Sequence, residues 1–150
     1  MINFTYHFVW RTKYREDTIN EEYERYLYSM CQNKGCHLYR INSMPNHVHL
    51  CCEVRPTIPV SEFIKVLKQE TSKWMKEHEE WFPKFIGWGL GYAGFTYSSS
   101  DRDNVIEYIK RQKEHHKVTT FKKEYESLLA EFGFDPANDD FFYEKAEEHE

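Results

Sequence analysis

The sequence predicts an α+β domain: a ferredoxin-like β-α-β-β-α-β antiparallel sheet with additional C-terminal helices. Three observations carry this. Phe4, Tyr6, Phe8 and Trp10 alternate with Thr5, His7 and Val9, the period of a strand with two unlike faces. Tyr23, Tyr26, Leu27, Met30 and Cys31 recur at helical spacing, as do Phe63, Ile64, Leu67 and Trp74. Between those stretches, residues 36–41 and 47–54 read as strands joined by a turn at 43–46, which makes them an antiparallel hairpin.

The first strand ends in Arg11-Thr12-Lys13-Tyr14-Arg15, three bases that suit phosphate contacts or a solvated loop. Residues 18–22 supply an N-cap and first-turn acids for a helix that runs to about Lys34, and Gly35 stops it. Pro56 and Pro59 end the hairpin, and a second helix starts at Val60 with Ser61 as its cap. The outer face of that helix carries Lys65, Lys68, Lys73 and Lys76, a solvated surface or one that tracks phosphates. Gly87, Gly89, Gly91 and Gly94 punctuate a fourth strand with irregular edges over 90–97. Residues 98–101 cap a third helix from about Arg102 to His116, and a fourth runs from about Phe121 to Phe132 and ends at Gly133. The helices are expected on one face of the sheet, leaving the other available.

A chain of 150 residues suits one domain. No segment approaches the ~20 apolar residues of a membrane span, and no basic-then-apolar leader is expected at the N-terminus. The four cysteines contain no Cys-x-x-Cys pair, which fits a reduced, cytoplasmic protein. The net charge of −5 is concentrated at the end: residues 135–150 hold seven acids and one lysine, leaving 19 bases and 18 acids elsewhere. The expected organisation is therefore a domain over 1–134 and an acidic tail over 135–150, partly ordered by Phe141, Phe142 and Tyr143. A body this close to neutral is not barred from nucleic acid.

The chemistry centres on Met44-Pro45-Asn46-His47-Val48-His49-Leu50. On a strand, His47 and His49 face the same way and can converge on one divalent ion. In the third helix Tyr108 and Gln112 are i and i+4 and share a face, with His115 and His116 one turn on. A glutamine carbonyl can complete a three-ligand set, with Tyr108 one helical turn away. A rival metal set joins His49 to Cys51 or Cys52.

These residues, with Phe8-Val9-Trp10-Arg11-Thr12-Lys13, resemble the HUH single-tyrosine transposases: short insertion-sequence transposases and their repeat-associated relatives. The resemblance covers about residues 4–132. It implies metal-dependent cleavage and rejoining of single-stranded DNA by transesterification, with Tyr108 as nucleophile and a 5′-phosphotyrosine intermediate. His47, His49 and Gln112 would hold Mg2+ or Mn2+. The implied partners are hairpin-bearing element ends and a second copy of the chain in a homodimer, inside a bacterial cell and on the nucleoid when bound to DNA. Arg11, Lys13, Arg15, Lys65, Lys68 and Lys73 are the candidate phosphate contacts. The alternatives are a domesticated, non-catalytic regulator that grips DNA hairpins, and a protein-interaction module of the same fold.

Overall fold

Alternation along the strands becomes alternation of burial across a sheet. The computed structural model describes residues 4–98, 100–115 and 120–131. In order they form β1 (Thr5–Arg11), a 3-10 turn (Lys13–Arg15), α1 (Glu21–Asn33), β2 (Cys36–Met44), β3 (His47–Val54), α2 (Val60–Glu77), β4 (Ala93–Tyr97), α3 (Arg102–Lys110), α4 (Gln112–His115) and α5 (Phe121–Glu131). The sheet order is β2-β3-β1-β4 with antiparallel neighbours throughout, the ferredoxin-like arrangement.

One face carries the main core. Phe8, Trp10, Val48, Leu50, Cys52 and Val54 pack against Tyr23, Leu27 and Met30 of α1 and Phe63, Ile64, Leu67 and Met75 of α2. Leu27 is wholly buried there, so truncation to alanine would cost about 2–5 kcal/mol. Asn20 caps α1, its Oδ1 accepting from the Glu22 amide at 3.0 Å. Gly35 follows the helix at φ +71°, where a Cβ would stand 3.0 Å from Arg55 Nε.

The expectation of an open second face fails. α3 packs Val105 and Ile109 onto Cys51, and α5 packs Tyr125, Leu128 and Leu129 onto Val9, Ala93 and Phe95. The reason is compositional: Val9, Ala93 and Phe95 are apolar on that face too, and the amphipathic C-terminal helices cover them.

Smaller departures have local causes. The residue that caps α2 is Pro59, not Ser61, and its carbonyl accepts from the Phe63 amide at 3.0 Å. The fourth strand is only Ala93–Tyr97, because its glycine-rich approach is a loop, with Gly87 at φ +144° and Gly91 at +70°. The long third helix is interrupted at Arg111, whose amide is shared between the Glu107 and Tyr108 carbonyls. His116, Gly133 and the acidic tail from residue 135 lie outside the described residues.

Candidate metal and tyrosine site

The period of β3 decides which side chains meet. Val48, Leu50 and Cys52 enter the main core, so His47 and His49 project onto the face beneath α3 and α5. On β1, Arg11 lies in register with His47, Val9 with His49 and His7 with Cys51, so these share that face.

Three donors converge. His49 Nε2 lies 3.0 Å and His47 Nε2 3.7 Å from the same oxygen, Glu124 Oε1 of α5. One ligand atom from each of the three residues falls within 4.8 Å of the others. All are sealed: His47 is 1% exposed, His49 0% and Glu124 3%. Each imidazole has its other nitrogen engaged. His47 Nδ1 donates to Asn46 Oδ1 at 2.7 Å, and His49 Nδ1 lies 2.7 Å from Nε2 of His7. Two imidazoles and a carboxylate make a donor set that fits a divalent cation. A carboxylate between two histidines also supplies the negative charge that buried cation binding needs.

Tyr108 stands over this group. Its ring centroid is 6.0 Å from that of His49 and 5.9 Å from that of His7. Burial first, then the charge of Glu124 and a hydrogen bond to it, hold the phenol proton on well above the ordinary tyrosine range; a hydrogen bond from Gln112 opposes them. His7 is shifted the other way, its pKa lowered by burial first and by His49 second, with Glu124 acting against both. Gln112 is also buried. Its Nε2 donates to the Tyr108 carbonyl at 3.3 Å, and its Oε1 is sealed from solvent with no hydrogen-bond partner among the described residues. Gln112 thus holds a buried orphan carbonyl oxygen on a side chain that also hydrogen-bonds the Tyr108 phenol, and such an oxygen suits a ligand role.

The structure thus brings His47, His49, Tyr108 and Gln112 together within one chain, and adds Glu124 and His7, which sequence reasoning missed. Glu124 lies one helical turn before Leu128 on the face of α5 that the structure buries, a face that the sequence alone does not mark as covered. The rival cysteine set does not form. Among the described residues the ligand cluster contains no cysteine, and burial pushes the Cys51 thiol up to about 12.

The basic candidates divide. Arg11, expected at a solvated strand end, is 1% exposed, and its Nη1 donates to the Thr12 carbonyl. Lys68 Nζ donates to the Gly89 and Gly91 carbonyls at 2.8 Å each, tying down the loop before β4. Lys13 and Lys68 line a groove of about 280 Å³ together with Lys76 and Ser72. Arg15 is half-buried in the 3-10 turn at φ +57°. Lys65 and Lys73 are exposed on α2. Among the described residues no helix is long and apolar enough to cross a membrane.

A ferredoxin-like sheet with a paired-histidine strand, and a tyrosine carried onto it by a later helix, has the make-up of a transposase. The chain belongs to the IS200-like transposase family, whose description, Transposase IS200 like, matches residues 1–112. It is 27% identical over 115 residues to the ISDra2 transposase TnpA of Deinococcus radiodurans, covering 71% of this chain and 82% of that one. It is 27% identical over 124 residues to the transposase for insertion sequence element IS200 of Salmonella typhimurium, covering 77% and 81%. Among solved structures, a Deinococcus radiodurans chain described as a transposase superposes with a TM-score of 0.57 at 26% identity, over 75% of this chain and 92% of that one. A REP-associated tyrosine transposase bound to a REP hairpin shares the fold, with a TM-score of 0.58 at 10% identity over 76% and 68%.

Proposed function

We propose that this transposase cleaves and rejoins single-stranded DNA through Tyr108, with His47, His49 and Glu124 holding a divalent ion and Gln112 adding a further oxygen. The observation that carries the reading is the edge-to-face contact, 6.0 Å between centroids, of Tyr108 with His49 of a buried His-His-Glu cluster in the same chain. The phenol oxygen attacks phosphorus and the bond to the 3′ oxygen breaks. The products are a 5′-phosphotyrosine and a free 3′-hydroxyl, and the reverse attack rejoins the strand.

The chain's own groups divide the work. The Glu124 carboxylate, hydrogen-bonded to the phenol, is the acceptor at hand for its proton. The Nε2 lone pairs of His47 and His49, each ring fixed from behind at Nδ1, face the ligand position. A bound divalent ion supplies Lewis-acid charge neutralisation at a phosphate oxygen. Two nitrogen donors favour Mn2+ over Mg2+, which prefers oxygen.

The substrate is a DNA hairpin with a single-stranded flank. The hairpin seen with a structural relative supports that choice. Lys13, Lys65, Lys68 and Lys73 would meet its phosphates, and Arg15 the strand as it nears the site. The working form is a homodimer in which each Tyr108 serves its own chain's histidines, and it acts on the nucleoid of the cell. The test is incubation of labelled hairpin DNA with Mn2+ and analysis on denaturing gels. Wild type should form a covalent adduct. Tyr108→Phe should bind the hairpin yet form none, and adduct from that variant would exclude Tyr108 as nucleophile.

A further inference from the structure

We propose that His7 is a positioning residue for the divalent ion: through its hydrogen bond with His49 it fixes which nitrogen of His49 is free to coordinate. The proposal rests on the metal reading of the site and adds a residue to it. His49 offers Nε2 toward Glu124 at 3.0 Å and Nδ1 toward His7 Nε2 at 2.7 Å. A neutral imidazole has one N–H and one lone pair. With an ion on Nε2, the proton must sit on Nδ1 and His7 must accept it. With Glu124 alone opposite Nε2, the direction reverses and His7 donates. Either ring of the pair can take either role, so the contact survives both states.

The placement of His7 shows that it is built for this contact. It is 0% exposed on β1, where it stands in register with Cys51, diagonal to His49. Its ring lies 5.0 Å from that of His49 at 26°, and is bounded by Phe95 at 6.1 Å and Tyr108 at 5.9 Å. Its remaining nitrogen, Nδ1, is buried with no hydrogen-bond partner among the described residues. An apolar ring would fill this space without that penalty. The hydrogen bond that His7 does make is to His49, as Asn46 makes one to His47. Outer partners of this kind orient ligating histidines and set their affinity.

The experiment measures Mn2+ binding to the DNA-free full chain by electron paramagnetic resonance, with metal-free melting as the control for folding. His7→Phe keeps a ring but offers no acceptor, and should lower Mn2+ affinity by about 10–100-fold while the metal-free melt stays near that of wild type. His7→Gln, whose amide both donates and accepts, should recover most of the affinity. Unchanged affinity in a folded His7→Phe overturns the proposal. So does an equal loss in both folded variants. If His7→Phe does not fold, near-wild-type affinity in His7→Gln together with a loss in His7→Leu supports it, and equal affinity in those two overturns it. His49→Ala separates the two readings. If wild type has no Mn2+ affinity for His49→Ala to remove, both fail; if that affinity is present but indifferent to His7, only this one does.

Discussion

Asn42 fastens the tyrosine helix to the sheet: its Nδ2 donates to the Ile109 carbonyl at 2.9 Å, one residue beyond Tyr108. Asn42 is also the strand partner of His49, so one side chain on β2 registers the phenol against the ligand strand. Asn42→Ala leaves that carbonyl buried without its donor, at a cost of about 1–3 kcal/mol. Melting should fall accordingly. On the proposed mechanism, adduct formation should fall further than Mn2+ affinity, because His47, His49 and Glu124 stay in place while Tyr108 loosens. Equal losses in the two assays would contradict this.

Glu124→Gln keeps the shape of the third donor and removes its charge. Losing even an outer-shell partner costs ~10-fold in metal affinity, so the drop in Mn2+ binding should be at least that large. Calorimetric titration of the DNA-free protein measures it, and wild-type affinity would remove Glu124 from the ligand set.

Tyr108 meets its own chain's histidines in this structure. A mixture of Tyr108→Phe with His49→Ala chains should therefore stay inactive on hairpin DNA. Recovery of adduct would mean that the tyrosine helix crosses to a partner.

The lysines should behave differently from one another. Lys68→Met removes two hydrogen bonds to the loop before β4, so melting should drop by the equivalent of about 1–2 kcal/mol. Lys73 is exposed on α2. Lys73→Ala should leave melting unchanged and reduce the salt dependence of single-strand binding by about 0.7 in log–log slope. An unchanged slope would remove Lys73 from the DNA path.

Alkaline stability should reflect Tyr23. Its phenol is wholly buried, 5.4 Å from Trp88 ring to ring, and burial raises its pKa well above the ordinary value. The folded state keeps the proton that the unfolded chain releases above about pH 10. The contribution is thus complete below that pH and is lost as pH rises. Tyr23→Phe should make the decline shallower, as followed by urea midpoints from pH 8 to 11.

The strands, α1 and α2 were legible because period-two and helical patterning record which face is wet. That His47, His49, Tyr108 and Gln112 lie close to one another was legible from spacing and from family resemblance. His7 was not, although β1 placed it opposite the Phe8 and Trp10 set. Knowing that it meets His49 requires the register that pairs it with Cys51, and register is a property of two strands. Glu124 was hidden for a related reason: α5 could be recognised, but not the surface it would cover. The burial of Arg11 follows from its register with His47, which a basic run at a strand end does not reveal.

His49 and Glu124 are separated by 75 positions of chain. An ion gripped by both closes that span into a ring that an extended coil forms only at an entropic cost. Affinity for the ion then belongs to the native topology alone, and each increment of binding adds to the free energy of unfolding. A divalent ion bound there would in that way lengthen the protein's lifetime against proteases that act on opened chains, quite apart from any reaction at phosphorus.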